Sequence, residues 1–169
     1  MKFGVLGTGG IAGKVLTVGI RRSGNTVLAI GSRSIESATA FAKKFAIPKA
    51  YGSYQELLDD PEIEAVYLAL PSALHKEWTL KAAKANKHIL CEKPVAPYAS
   101  DVIEMMEACK AAGVVFLDGT FFKHHPRNAE IRNLVVSGDL GEVTSVFSQF
   151  GTDARDMPAD AIRNDPAME

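Results

Sequence analysis

Residues 4–12 read Gly4-Val5-Leu6-Gly7-Thr8-Gly9-Gly10-Ile11-Ala12, an apolar run that breaks into glycines and resumes at Ile11. The G-x-G-x-x-[G/A] spacing directly after a strand-like run is the signature of a phosphate-binding turn between a strand and a helix. Gly7 permits the tight turn out of the strand. Gly9, without a Cβ, lets the backbone approach a pyrophosphate, and Ala12 is small enough for the next helix to pack on the sheet. The helix start offers unpaired N–H groups and partial positive charge to phosphate oxygens. Ile11, Val15, Leu16 and Ile20 supply that helix with an apolar face. A plain structural turn is the alternative, because glycines also serve ordinary turns.

Outward from this turn, short apolar runs recur at Val27–Ile30, Ala65–Leu70, Lys87–Cys91 and Val114–Leu117. They lack polar alternation, the pattern of strands covered on both faces. Between them the period becomes helical, at Ala38, Phe41, Ala42 and Phe45, at Leu74, Trp78, Ala82 and Ala85, and at Val102, Met105, Met106 and Cys109. Ser53-Tyr54-Gln55-Glu56 has capping-box spacing and starts a short helix that Asp60-Pro61 ends. Strand and helix in alternation predict an α/β, doubly wound parallel sheet of Rossmann type over residues 1–119. After residue 119 the rhythm breaks. The pattern predicts a helix over Glu130–Val136 and a strand with one wet face over Glu142–Phe150, whereas Gly151–Glu169 has no period. Residues 120–169 are therefore expected to be the truncated start of a second, α+β open-sheet domain.

Composition narrows the function classes. Of 169 residues, 47% are hydrophobic and 23% charged, which excludes disorder and coiled coil. Nineteen basic against twenty acidic residues leave a net charge of −1, a poor surface for nucleic acid or anionic membrane. The chain enters a strand at once, leaving no room for a signal peptide, and no apolar run approaches the roughly 18 residues of a membrane span. Cys91 and Cys109 match no metal or redox spacing and read as buried thiols of a soluble, cytoplasmic protein. His124 and His125 are adjacent and point apart in a strand, without thiolates or paired carboxylates nearby, so no metal site is expected.

At the tip of the second strand, Ile30-Gly31-Ser32-Arg33-Ser34 lacks the carboxylate that accepts from a ribose 2′-OH in NAD sites. Arg33 offers a planar cation, and Ser32 and Ser34 offer hydroxyls, to a 2′-phosphate. NADP is thus preferred over NAD. The alternative is a solvated Arg33 beside a Ser34 that merely caps the next helix.

Three further stretches, Leu70-Pro71-Ser72-Ala73-Leu74-His75, Cys91-Glu92-Lys93-Pro94 and His124-His125-Pro126-Arg127, accompany the glycine turn in order. Together they make the chain resemble the N-terminal half of the Gfo/Idh/MocA oxidoreductases, the family of glucose-fructose oxidoreductase and inositol dehydrogenase. The resemblance implies hydride transfer between nicotinamide and a sugar, polyol or dihydrodiol-type alcohol or carbonyl, in a homo-oligomeric full-length enzyme. It implies a cofactor site formed by Gly7, Thr8, Gly9, Gly10, Ile11, Ala12, Ser32, Arg33, Ser34, Leu70, Pro71, Ser72, His75, Glu92, Lys93 and Pro94. It places Glu92-Lys93-Pro94 beside the nicotinamide, with a Lys-Pro bond that is often cis, and assigns proton transfer to Lys93. Lys123 departs from the pattern, standing where relatives commonly carry Arg. A second catalytic group is expected beyond Glu169, so the chain alone is expected to turn over poorly.

The chemistry also stands on the residues. Oxidising an alcohol removes a proton as hydride leaves. A lysine partly desolvated near a cationic ring is shifted toward working pH, and Glu92 would orient it. A surface Lys93 followed by a turn proline is the alternative. His75 either faces the nicotinamide pocket or caps its helix. A non-catalytic dinucleotide-binding module or sensor is the rival function. A methyltransferase is a third reading, disfavoured by Arg33 and Glu92-Lys93-Pro94.

Overall fold

The structure, a computed structural model, describes residues 1–13 and 17–151. Six parallel strands form one sheet: β1 (Lys2–Leu6), β2 (Thr26–Gly31), β3 (Lys49–Tyr51), β4 (Ala65–Leu68), β5 (His88–Cys91) and β6 (Phe116–Asp118). Their order is β3-β2-β1-β4-β5-β6, the doubly wound arrangement that reverses direction between β1 and β4. The crossovers carry α1 (Thr17–Arg22), α2 (Ile35–Phe45), α3 (Tyr54–Asp59), α4 (His75–Lys84) and α5 (Ala99–Ala111).

Alternation along the strands splits the core in two. Val5, Val27, Ile30 and Tyr67 pack with Ile20 of α1 and Ala38, Phe41 and Ala42 of α2. Leu6, Ala29, Val66, Leu68 and Cys91 pack with residues of α3, α4 and α5. Three of the helices therefore share one face, which leaves the other face of β5 and β6 bare. Val115 is 62% exposed and Leu117 49%. The expectation of strands covered on both faces holds for β4, whose four residues are all buried, and fails at this edge.

Local signals explain most boundaries. Ser53 caps α3 by accepting from the Glu56 N–H at 3.1 Å, while Glu56 reaches back to the N–H of Gly52 rather than to that of the cap itself. Asp60 ends the helix as read. The predicted stripes are buried at Ala38, Phe41, Ala42, Ala82, Met105 and Cys109, whereas Met106 is 56% exposed. Strand β3 is an addition, too short to announce itself. Val15, Leu16 and residues 152–169 lie outside the described residues.

Beyond β6 the expectations need correction. The helix α6 begins at Pro126, four residues before the predicted start, because His125 Nδ1 accepts from the Arg127 N–H and proline suits the first turn. His124 and His125 accordingly end a short 3-10 turn (Phe121–His124) and do not lie in a strand. The predicted strand over Glu142–Phe150 is absent: these residues are exposed and irregular. A strand needs a hydrogen-bonded neighbour, and no described segment lies alongside to provide one.

Opposite the loops at the strand ends, Asp60 ties the floor of the sheet together. Its carboxylate accepts from Lys49 Nζ and the Tyr51 hydroxyl, both at 2.8 Å, and from the Glu62 N–H at 2.9 Å. Burial pushes this carboxyl up, but those three donors outweigh burial and hold its pKa at about 2, below the ordinary 3.8. A folded-state pKa below the unfolded one stabilises the fold above the unfolded value and is lost as pH falls through the folded value. Denaturant unfolding should therefore lose roughly 2 kcal/mol between pH 5 and pH 1.5 through Asp60. Asp60→Asn should flatten the curve by that amount; an unchanged pH profile would contradict the assignment.

Candidate functional site

The sheet register positions the site. Tyr51, Gly31, Leu6, Leu68, Cys91 and Asp118 pair in one continuous row across all six strands. The residues that follow, Gly7 after β1, Ser32 after β2, Ala69 after β4 and Glu92 after β5, therefore open their loops side by side at one edge. Neighbouring parallel strands lie about 4.8 Å apart, so the loops of β2 and β5, three intervals apart, are separated by about 14 Å. Across this edge the order is Ser32-Arg33-Ser34, then Gly7–Ala12, then Leu70-Pro71-Ser72, then Glu92-Lys93-Pro94. The topological switch point lies between the second and third of these.

The glycine turn is built as its spacing requires. Gly7 has φ +101°, and a Cβ there would meet the Ala69 carbonyl oxygen at 2.5 Å, so neither the conformation nor the space admits a side chain. Its N–H donates to the Gly31 carbonyl at 3.0 Å, joining the turn to β2. Gly9 differs: a Cβ there has only the Ala69 oxygen near it, at 3.9 Å. Among the described residues nothing requires glycine at this position, so the space beside it is open to a ligand. Thr8 is half-buried beside an exposed Gly9, Gly10 and Ile11, while Ala12 is fully buried under the helix. The following Gly13, absent from the sequence reading, packs closest of all. A Cβ there would lie 2.2 Å from the Phe45 ring, so the close approach of this helix to α2 belongs to Gly13 as well as to Ala12.

At the β2 tip, Arg33 is exposed, and no ion pair among the described residues engages it. Ser32 is buried, its N–H bound to the Tyr51 carbonyl at 3.1 Å. Ser34 is the N-cap of α2: its hydroxyl accepts from the Ser37 N–H at 3.2 Å and donates to Glu36 at 2.7 Å. That hydroxyl holds the Glu36 carboxyl below its usual range. Ser34 therefore caps α2, as the alternative reading had it.

At the other end, Leu70 and Ser72 are buried and Pro71 half-buried beneath the loop after β4. His75, 1% exposed, sits at the first position of α4. Its Nε2 lies 2.8 Å from the Leu70 carbonyl, and its Nδ1 lies 3.0 and 3.1 Å from those of Pro94 and Val95. A carbonyl only accepts, and a neutral imidazole carries one N–H, so the ring sits between the two loops and donates either to Leu70 or to the Pro94 and Val95 pair, as its tautomer decides. Lys93 and Pro94 are exposed and joined by a cis peptide bond. The desolvation expected of Lys93 is therefore not supplied by the described residues. Glu92 is buried and turns inward to Tyr67, a partner the apolar run Ala65–Leu68 concealed. A buried tyrosine hydroxyl requires a partner, and that was the available signal.

Both thiols are free and buried. Burial, followed by the nearby Glu92 and Asp118 carboxylates, pushes the Cys91 thiol up to about 12, and burial also raises Cys109, so neither serves as a thiolate. Lys123 pairs with Asp118 at 3.2 Å. Among the described residues no cluster of three His, Cys, Asp or Glu side chains could hold a metal, and no helix is long and apolar enough to cross a membrane.

Comparison with known proteins agrees with this layout. A family model described as an oxidoreductase family with an NAD-binding Rossmann fold matches residues 1–120. A D-xylose 1-dehydrogenase (NADP+) of Haloferax volcanii is 40% identical over 168 residues, covering 99% of this chain and 51% of that protein. A mouse (Mus musculus) trans-1,2-dihydrobenzene-1,2-diol dehydrogenase is 34% identical over 160 residues, covering 94% and 48%. The chain spans about half the length of the curated relatives it matches. Among solved structures, a 3-ketoreductase from Actinomadura kijaniata in complex with NADP superposes with a TM-score of 0.79 at 29% identity, covering 84% of this chain and 45% of that one.

The two glycines should separate structure from binding. Gly7→Ala should lower unfolding free energy by about 2 kcal/mol or more, from the left-handed φ and the backbone clash. Gly9→Ala should change stability by less than about 0.5 kcal/mol yet weaken dinucleotide binding at least tenfold, as read by calorimetric titration. Equal binding by Gly9→Ala and wild type would return the turn to a structural role.

Proposed function

The chain belongs to the Gfo/Idh/MocA oxidoreductase family, and from that premise we propose that it holds NADP along the strand-end edge for a dehydrogenase or reductase. The substrate class is a sugar, polyol or dihydrodiol-type alcohol, or the corresponding carbonyl. One observation carries the reading: the register row sets a cationic tip, a glycine turn and a lysine in linear order across a switch point. That is the order of a 2′-phosphate, a pyrophosphate and a nicotinamide in an extended dinucleotide. Residues 1–119 form the dinucleotide-binding unit in this proposal, which the extent of the family match supports.

The donor set fits such a coenzyme. The Gly9 backbone is open to close approach among the described residues, and a helix begins at Gly10 and Ile11, whose first-turn N–H groups have no helical acceptor and suit a pyrophosphate. The exposed Arg33 guanidinium suits the dianionic 2′-phosphate, which a carboxylate at the same tip would repel. Bound there, the coenzyme supplies or takes up the hydride. The chain contributes the rest. Leu70 and Pro71 shape the wall beside the switch point. Lys93, free of side-chain partners among the described residues, reaches the reacting oxygen. As the neutral amine, its Nζ would take up the alcohol proton as hydride leaves, becoming an ammonium; as the ammonium, it would return that proton to the carbonyl oxygen in reduction. A substrate closing over Lys93 would exclude the water that now surrounds it.

The cofactor preference is tested by titration with NADPH and NADH. Arg33→Ala should weaken NADPH by about tenfold to a hundredfold and leave NADH nearly unchanged, the effect of one lost charge-assisted contact. Equal losses for both coenzymes would remove Arg33 from the 2′-phosphate. Lys93→Met should lower kcat on sugar or diol alcohols at least a hundredfold while NADPH affinity stays within about twofold. Retained turnover would take the lysine out of the chemistry.

A further inference from the structure

Glu92 leaves the end of β5 pointing into the protein, where it is 7% exposed. A carboxylate so placed needs donors on its oxygens. Oε1 accepts from the Tyr67 hydroxyl at 2.7 Å, and Oε2 accepts from the backbone N–H of Lys93 at 3.1 Å. Tyr67 is fully buried within β4. Burial first, and then the Glu92 hydrogen bond, raise its phenol far above the ordinary range, so it remains a donor under all working conditions. For packing alone a phenylalanine would fill the same space; the hydroxyl adds a fixed donor.

The rest of the segment is held as well. The Gly119 N–H donates to the Cys91 carbonyl at 2.6 Å. A Cβ on Gly119 would lie 3.1 Å from that oxygen and 3.2 Å from Glu92 Cα, so the chain passes close beneath Glu92. Downstream, His75 Nδ1 lies 3.0 and 3.1 Å from the carbonyls of Pro94 and Val95, so the buried ring packs against this segment. Lys93 by contrast is exposed, and no described partner holds its Nζ. The direction its side chain takes is inherited from its backbone.

We propose that Tyr67 is a positioning residue: its buried hydroxyl fixes the Glu92 carboxylate, the carboxylate fixes the Lys93 amide, and the lysine is thereby aimed along the strand-end edge. This rests on the dinucleotide reading, which gives Lys93 something to be aimed at. Without the hydroxyl, a buried carboxylate is one donor short, and Glu92 relieves the deficit by turning toward water and releasing the Lys93 amide.

Tyr67→Phe keeps the ring and its volume. Hydrogen exchange followed by NMR should show the Lys93 amide exchanging about tenfold faster. The Ile89 amide, which donates to the Val115 carbonyl in the same strand, should be unchanged. Glu92→Gln, which cannot accept at both side-chain positions, should match this effect, and the double variant should be no worse than either single one. Adenosine 2′,5′-bisphosphate, which lacks the nicotinamide, should bind Tyr67→Phe as it binds wild type. The fluorescence enhancement of bound NADPH, which reports on the nicotinamide end, should fall at least twofold. Wild-type exchange at Lys93 in Tyr67→Phe, additive effects in the double variant, or an equal rise at Ile89 and Lys93 would each overturn the positioning role while leaving cofactor binding intact. A wild-type chain that binds neither ligand would overturn the dinucleotide reading and this proposal with it.

Discussion

Everything at the candidate site depends on one feature of the backbone: six parallel strands stop in register. Because Gly31, Leu6, Leu68 and Cys91 share a row, four loops distant in sequence emerge at one edge with spacings set by strand separation. Side chains tune what the edge binds, but hydrogen bonding along the ladder decides that Arg33 and Lys93 stand at opposite ends of it. At the switch point between β1 and β4 the connections diverge to opposite faces, the arrangement at which open α/β sheets take their ligands.

Two glycines with the same spacing role proved physically different. Gly7 is required by the fold, through a left-handed φ and contact with the Ala69 carbonyl. Gly9 meets no close neighbour among the described residues, so its lack of a side chain leaves open space rather than relieving a clash. Similar division runs through the other site residues. Ser34 is engaged inside the protein as a helix cap, and His75 is buried between the loops after β4 and β5. Arg33 and Lys93 are exposed and face outward. Residues already engaged build the site, and residues left exposed are the ones able to meet a ligand.

The places where the sequence misled share a cause. Alternation over Glu142–Phe150 resembled a strand because side-chain pattern is local, whereas a strand exists only with a neighbour to share its hydrogen bonds. Apolar residues in β5 and β6 suggested cover on both faces, yet α3, α4 and α5 share one core and leave Val115 and Leu117 exposed. Strand β3 escaped notice because Lys49-Ala50-Tyr51 is short and only partly buried, held in place by β2 rather than by its own hydrophobicity. Glu92 was legible as part of a motif, but its dependence on Tyr67, twenty-five residues earlier, was not.

What the chain's own order of residues determined was periodicity, turns and caps: the strand–helix alternation, the glycine turn after β1, the Ser53 cap and the family likeness. These are properties of neighbours within a few positions, where steric limits on φ and helical or extended spacing act directly. Tertiary structure alone decided which loops share an edge, which face of β6 stays open, where the Glu92 carboxylate turns and what His75 grips. Those outcomes arise from contacts between segments remote along the chain, and their energies depend on burial and hydrogen-bond geometry that exist only after folding.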